Sequence, residues 1–172
     1  MIEKIIHNNK LLSVIIRVNY KSDGIEFFTP GDFSQQLGYM NRKRNHIISP
    51  HTHNIVKREV SLTQEVIVIK SGKVRVDYYD NDKHYLESKI LYQGDVVLLA
   101  GGGHGFEMLE DSEMIEVKQG PYMLAKDKII IKGGFREPCM RPYIRVGLGS
   151  VDQIMYLVEK LTVGLKISAA GS

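Results

Sequence analysis

Short apolar runs and turn residues alternate along most of the chain. The run "LLSVIIRV" (Leu11 to Val18) is rich in β-branched residues and too short for a typical helix, so it predicts a strand. In "KVRVDYYD", Val74, Val76 and Tyr78 alternate with Arg75, Asp77 and Tyr79, which is typical of a strand with one buried face. Turn clusters such as Ser71-Gly72 and Gln93-Gly94 separate the runs. Many short strands with this punctuation predict an all-β sandwich or barrel.

The last forty residues have a different pattern. Ser150 is a plausible N-cap for "VDQIMYLVEKL", in which apolar residues form one helical stripe: Val151, Ile154, Met155, Val158 and Leu161. This stripe predicts a helix over 151–161. We therefore expect a β-barrel domain over 1–132 and a C-terminal extension over 133–172, which contains a strand and this helix.

Two segments carry the candidate chemistry, Asn45 to Gly72 and Gly94 to Phe106. In an extended strand, residues two apart point to the same side, so the imidazoles of His51 and His53 share one direction. A carboxylate, Glu65, begins an apolar run in the first segment, and a third histidine, His104, follows an apolar run in the second. If these strands belong to one barrel, the four side chains reach one point: His51, His53, Glu65 and His104. Three imidazoles and a carboxylate suit a divalent transition metal, and Fe, Mn, Ni, Zn and Co all tolerate the set.

These two segments resemble the two motifs of the cupin family, a double-stranded β-helix or jelly roll. The family's first motif is a Gly, five residues, His-x-His, a gap, a Glu, six residues and a second Gly. Here Asn45 occupies the position of the first Gly. Asn tolerates the positive-φ turn that Gly makes there. The second motif corresponds to "GDVVLLAGGGH". In the family, three or four residues usually separate the second His from the Glu. Here eleven residues separate His53 from Glu65, and one of them, Glu59, is a rival ligand. The resemblance implies a cupin-type jelly-roll barrel.

Two stretches of sequence resemble small cupins found among surface-polysaccharide and sugar-nucleotide genes. They are "TQEVIVIKSGKVRVDYYD" and "GGHGFEMLEDSEMIEVKQGPY". The resemblance implies a metal-dependent enzyme, an isomerase or epimerase or, with iron, an oxygenase, that acts on a sugar or sugar nucleotide. An inward Glu or Tyr would move protons, and we name Glu107 and Tyr78, with Glu116 as a further possibility. The alternative is a non-catalytic module that binds a small ligand or regulates a neighbouring enzyme.

Composition limits the classes of partner that the sequence indicates. The 172 residues are 43% hydrophobic and carry a net charge of +3, too mild to indicate a nucleic-acid or membrane partner. The single Cys139 fits a reducing, cytoplasmic setting, and no apolar run approaches the ~20 residues of a spanning helix. We expect a carbohydrate-like small molecule as ligand. Sheet edges and the appended helix favour a homodimer.

Overall fold

The computed structural model describes residues 1–120 and 128–131, all within a compact unit that spans Met1–Phe135. These residues form strands and no helix. In chain order, the strands are β1 (Ile2–His7), β2 (Lys10–Ile16), β3 (Gly24–Phe27), β4 (Gly38–Asn41), β5 (Glu65–Ser71), β6 (Lys73–Tyr79), β7 (Tyr85–Tyr92), β8 (Val96–Leu99), β9 (Gly103–Met108) and β10 (Glu113–Lys118).

The strands form three antiparallel sheets. The largest has the order β1-β2-β8-β5-β10, a second has the order β7-β6-β9, and β3 pairs with β4 in a separate ribbon. This arrangement confirms the all-β prediction and is consistent with a β-sandwich or barrel. The cupin type and the domain boundary at 132 stay predictions. The predicted helix over 151–161 and most of the extension lie outside the described residues.

One apolar cluster joins the five-stranded and three-stranded sheets. Alternate residues of β5 and β6 face it, as the alternating pattern of β6 predicts. Its buried members are Ile5, Leu12, Ile15, Ile67, Ile69, Val97 and Leu99 from the larger sheet and Val74, Val76, Tyr78 and Leu91 from the smaller one. This interior places the starts of β5 and β9, where two candidate ligands lie, on facing sheets.

A second cluster covers the opposite face of β2 and β8. Val14, Ile16 and Leu98 pack there against Phe28 and Leu37, which lie at the two ends of the connection between β3 and β4. Both faces of β2 and β8 are therefore buried, which explains why their sequences are continuous apolar runs and do not alternate.

Two turns depend on a left-handed backbone. Gly72 joins β5 to β6 with φ +82°, and a Cβ there would lie 2.2 Å from the carbonyl oxygen of Asp111. Asn45 has φ 69°, the positive-φ conformation that its place in the first motif predicts.

The turn before β8 is held by a buried carboxylate. Asp95 is 1% exposed and accepts hydrogen bonds from Arg17 Nη1 (2.8 Å), the Val18 amide (2.8 Å) and the Tyr92 amide (3.0 Å). It therefore ties the end of β2, the end of β7 and the start of β8 together, which fixes the strand that pairs with β5.

Candidate functional site

Glu65 and His104 meet between the two facing sheets. Glu65 is the first residue of β5, is 6% exposed, and lies on the same strand face as Ile67 and Ile69. His104 lies on β9 directly opposite Tyr78 of β6. Glu65 Oε2 and His104 Nε2 are 3.1 Å apart. The fold thus brings together two of the four predicted ligands from segments about forty residues apart in the chain.

The environment favours an ionised Glu65. The pKa of Glu65 is lowered, chiefly by its hydrogen bond to His104, while burial acts in the opposite direction. The charges of His104, Lys128 and Lys118 lower it further. Lys118, the partner of Glu65 in the β5–β10 register, has its Nζ 3.8 Å from Glu65 Oε1. The site is therefore a buried carboxylate with an imidazole on one side and an ammonium group on the other.

A ring contact orients His104. His104 and Phe106 are two residues apart on β9 and share one face, with ring centroids 5.6 Å apart in an edge-on arrangement. Phe106 packs against the core cluster between the sheets. The apolar interior therefore restricts the ring of Phe106, which in turn limits the positions open to the imidazole.

His51 and His53 lie elsewhere, on the segment 42–64 between β4 and β5, which contains no helix or strand and is exposed from residue 42 to residue 63. Their ring centroids are 5.3 Å apart, and His51 Nδ1 lies 2.9 Å from the carbonyl oxygen of Ser49. The two imidazoles are neighbours, as their spacing predicts, but they do not form a close group with Glu65 and His104. The rival ligand Glu59 is also exposed on this segment. A metal role for these residues stays a prediction.

The residues predicted to move protons occupy different faces. Glu107 lies three residues after His104 on β9, so it points to the opposite side, where its Oε2 is 2.7 Å from Arg75 Nη1. Glu116 pairs with Lys118 at 2.6 Å. Tyr78 shares the interior face with His104, but its hydroxyl is 3.1 Å from Ser13 Oγ and burial raises its pKa to about 12. Tyr78 is thus a core residue, and catalysis by Glu107 or Tyr78 stays a prediction.

A group that sequence reasoning missed lies in the turn after β6. Asp80, Asp82 and His84 each place one ligand atom within 4.8 Å of the other two. Among the residues described, this is the one group of at least three such side chains that could hold a metal ion. The His84 amide donates to Asp80 Oδ1 (2.8 Å), which closes the turn, and His7 Nε2 lies 4.0 Å from Asp80 Oδ2. The sequence signal was the alternation Asp-x-Asp-x-His in "DNDKH", which otherwise indicates a turn.

Compared with known proteins, the chain matches no family model, no curated protein and no solved structure. Across the described residues, no helix has the length and hydropathy needed to cross a bilayer.

Proposed function

We propose that this chain is a metal-dependent enzyme of cupin type that holds a divalent transition metal at Glu65 and His104 and acts on a sugar or sugar nucleotide. The observation that supports this proposal is the contact between the Glu65 carboxylate and the His104 imidazole across two sheets. The carbohydrate class comes from the resemblance of the sequence to cupins of surface-polysaccharide genes.

The separation of the two donor atoms fits a shared ion. Imidazole nitrogen and carboxylate oxygen bind such metals at ~2.0–2.2 Å, so neighbouring ligands lie about 3.0 Å apart in octahedral geometry and about 3.4 Å apart in tetrahedral geometry. Glu65 Oε2 and His104 Nε2 are 3.1 Å apart. The lowered pKa of Glu65 keeps the carboxylate ionised, as a ligand must be.

The chain's own residues then have separate tasks. A divalent metal bound here supplies Lewis-acid polarisation of a carbonyl or of vicinal hydroxyl oxygens. Glu65 neutralises part of the positive charge, and Phe106 holds the ring of His104. Lys118 lies beside Glu65 and offers a cation to a negatively charged part of a substrate, such as a phosphate.

A second candidate function is a non-catalytic module that binds an anionic small molecule without metal. The observation that favours it is the positive charge near Glu65, since Lys118 and Lys128 both lower the pKa of Glu65. Here the hydrogen bond between His104 and Glu65 is a structural contact beside the two lysines.

Titration calorimetry on untagged, chelator-treated protein tests the proposal. Manganese, nickel or zinc should bind at one site per chain, and Glu65→Gln or His104→Gln should weaken binding at least about tenfold, equal to ~1.4 kcal/mol. Glu107→Gln is the matched control, because it changes a carboxylate on β9 that points away from the pair. The double variant Asp82→Asn/His84→Gln removes the rival group and should leave this binding unchanged.

Two results would decide against the metal enzyme. If Glu65→Gln and His104→Gln both bind metal with the affinity of wild type, and circular dichroism shows that both are folded, then Glu65 and His104 do not form a metal site. If nucleotide sugars from a panel bind to the metal-free protein and no added metal gives turnover, the binding module is favoured.

A further inference from the structure

The segment 42–64 exposes an unusual amount of apolar surface. It contains no helix or strand, yet six large apolar side chains on it are between 45% and 104% exposed: Ile47, Ile48, Ile55, Val56, Val60 and Leu62. Long segments without secondary structure are uncommon in compact domains, and contiguous exposed apolar surface usually marks an interface. The segment is therefore suited to cover another surface.

Strand β10 offers such a surface. It is the last strand of the five-stranded sheet, so among the described strands it has a partner on one side only, β5. Ile115 and Val117 point to the outer face of this strand and are 53% and 55% exposed. They lie opposite Val68 and Val66 in the register, which extends the apolar strip onto β5. An exposed apolar edge strand is a ready template for pairing with another chain.

The two surfaces carry opposite charge. The segment 42–64 has five basic residues and a single acidic one, Glu59; the basic residues are Arg42, Lys43, Arg44, Lys57 and Arg58. The stretch 110–118 has four acidic residues and a single basic one, Lys118; the acidic residues are Glu110, Asp111, Glu113 and Glu116. All four acidic residues are exposed; Glu113 also pairs with Lys70, and Glu116 with Lys118, in the same chain. Complementary charge of this kind selects a partner and speeds association.

We propose that residues 42–62 of one copy pack along strand β10 of a second copy, and that the exchange is reciprocal in a two-fold symmetric dimer. The apolar side chains of the segment cover Ile115 and Val117, while its basic residues face the acidic stretch. The proposal concerns the interface alone and does not depend on the metal site.

Light scattering after size exclusion tests the state of assembly. The wild-type chain should be a dimer, and two variants should each raise the dimer dissociation constant at least about tenfold: Ile115→Lys/Val117→Lys on the strand and Ile48→Ser/Ile55→Ser on the segment. The control is Ile25→Ser/Met40→Ser on the β3–β4 ribbon, where both residues are 47% exposed and the dimer should persist. A monomeric wild-type chain would overturn the proposal.

Zero-length cross-linking of amines to carboxylates then identifies the contact. In a refolded equimolar mixture of ¹⁴N and ¹⁵N chains, Lys57 should couple to Glu113, with half of the cross-links joining a light to a heavy chain. Cross-links found only within one chain would show that the segment folds back on its own β10. A dimer without cross-links between chains that persists in both double variants would show that another surface forms the interface. Either result overturns the proposal.

Discussion

Replacement of Asp95 should be among the most damaging changes to this fold. The Asp95 carboxylate is buried and accepts three hydrogen bonds, from the guanidinium of Arg17 and from the amides of Val18 and Tyr92. The Arg17 side chain, 18% exposed, also donates to Glu3 (2.6 Å) and to the Ile90 carbonyl (2.6 Å). Asp95→Ala therefore leaves a largely buried cation without its main buried counter-charge and two amides without acceptors.

The expected cost of Asp95→Ala is about 3–5 kcal/mol, the range for loss of one partner from a buried ion pair. Asp95→Asn keeps one oxygen acceptor and should cost less, about 1–3 kcal/mol. The matched control is Glu113→Gln, which breaks a pair with Lys70 in which both side chains are more than 60% exposed. That change should cost less than about 1 kcal/mol.

Urea unfolding followed by circular dichroism gives these free energies of unfolding by linear extrapolation. The order Asp95→Ala, Asp95→Asn, Glu113→Gln, from most to least destabilised, is the expected result. An Asp95→Ala protein within ~1 kcal/mol of wild type would refute the argument that this carboxylate holds three strand ends together.

Two further predictions concern the turn at Gly72 and the core at Tyr78. Gly72→Ala places a Cβ against the Asp111 carbonyl at positive φ and should cost at least about 2 kcal/mol, whereas Gly31→Ala, with nothing within 4 Å of the added Cβ, should cost under about 1 kcal/mol in the same unfolding assay. For Tyr78, burial raises the pKa from 10.0 to about 12, so its neutral form stabilises the fold below pH 10 and that stability, about 2–3 kcal/mol, is lost as the pH rises towards 12. Tyr78→Phe should cost about 1 kcal/mol at pH 7, through the lost hydrogen bond to Ser13, and should lose less stability than wild type between pH 10 and 12. An equal alkaline loss in wild type and Tyr78→Phe would contradict this assignment.

The strands of the interior were predictable because their patterns are local. Alternation in "KVRVDYYD" places Val74, Val76 and Tyr78 on a buried face of β6, and the structure confirms this. The opposite face was expected to be open, but Asp77 and Tyr79 on it are buried as well. The same period-two rule, applied to β9, separates Glu107 from His104, since the two residues are three positions apart. The sequence therefore contained the signal that Glu107 faces away from the candidate site.

The surroundings of the histidine pair were less predictable. The motif spacing favours Glu65 over Glu59, and it is Glu65 that lies beside His104. The spacing says nothing about the residues inserted after His53, and the segment that carries both histidines has no strand in the structure. Pro50 lacks the amide that a ladder needs, and the charged run at Lys57 to Glu59 interrupts any alternation. No strand forms around the two histidines, and their place in a metal site depends on contacts beyond the local pattern.

Anomalous diffraction from crystals soaked with manganese or zinc would locate the bound metal. We expect an ion within ~2.0–2.2 Å of His104 Nε2 and of a carboxylate oxygen of Glu65, and its loss in crystals of Glu65→Gln. An ion found solely at Asp80, Asp82 and His84, or an undisturbed contact between Glu65 and His104 at saturating metal, would show that these two residues do not hold a metal.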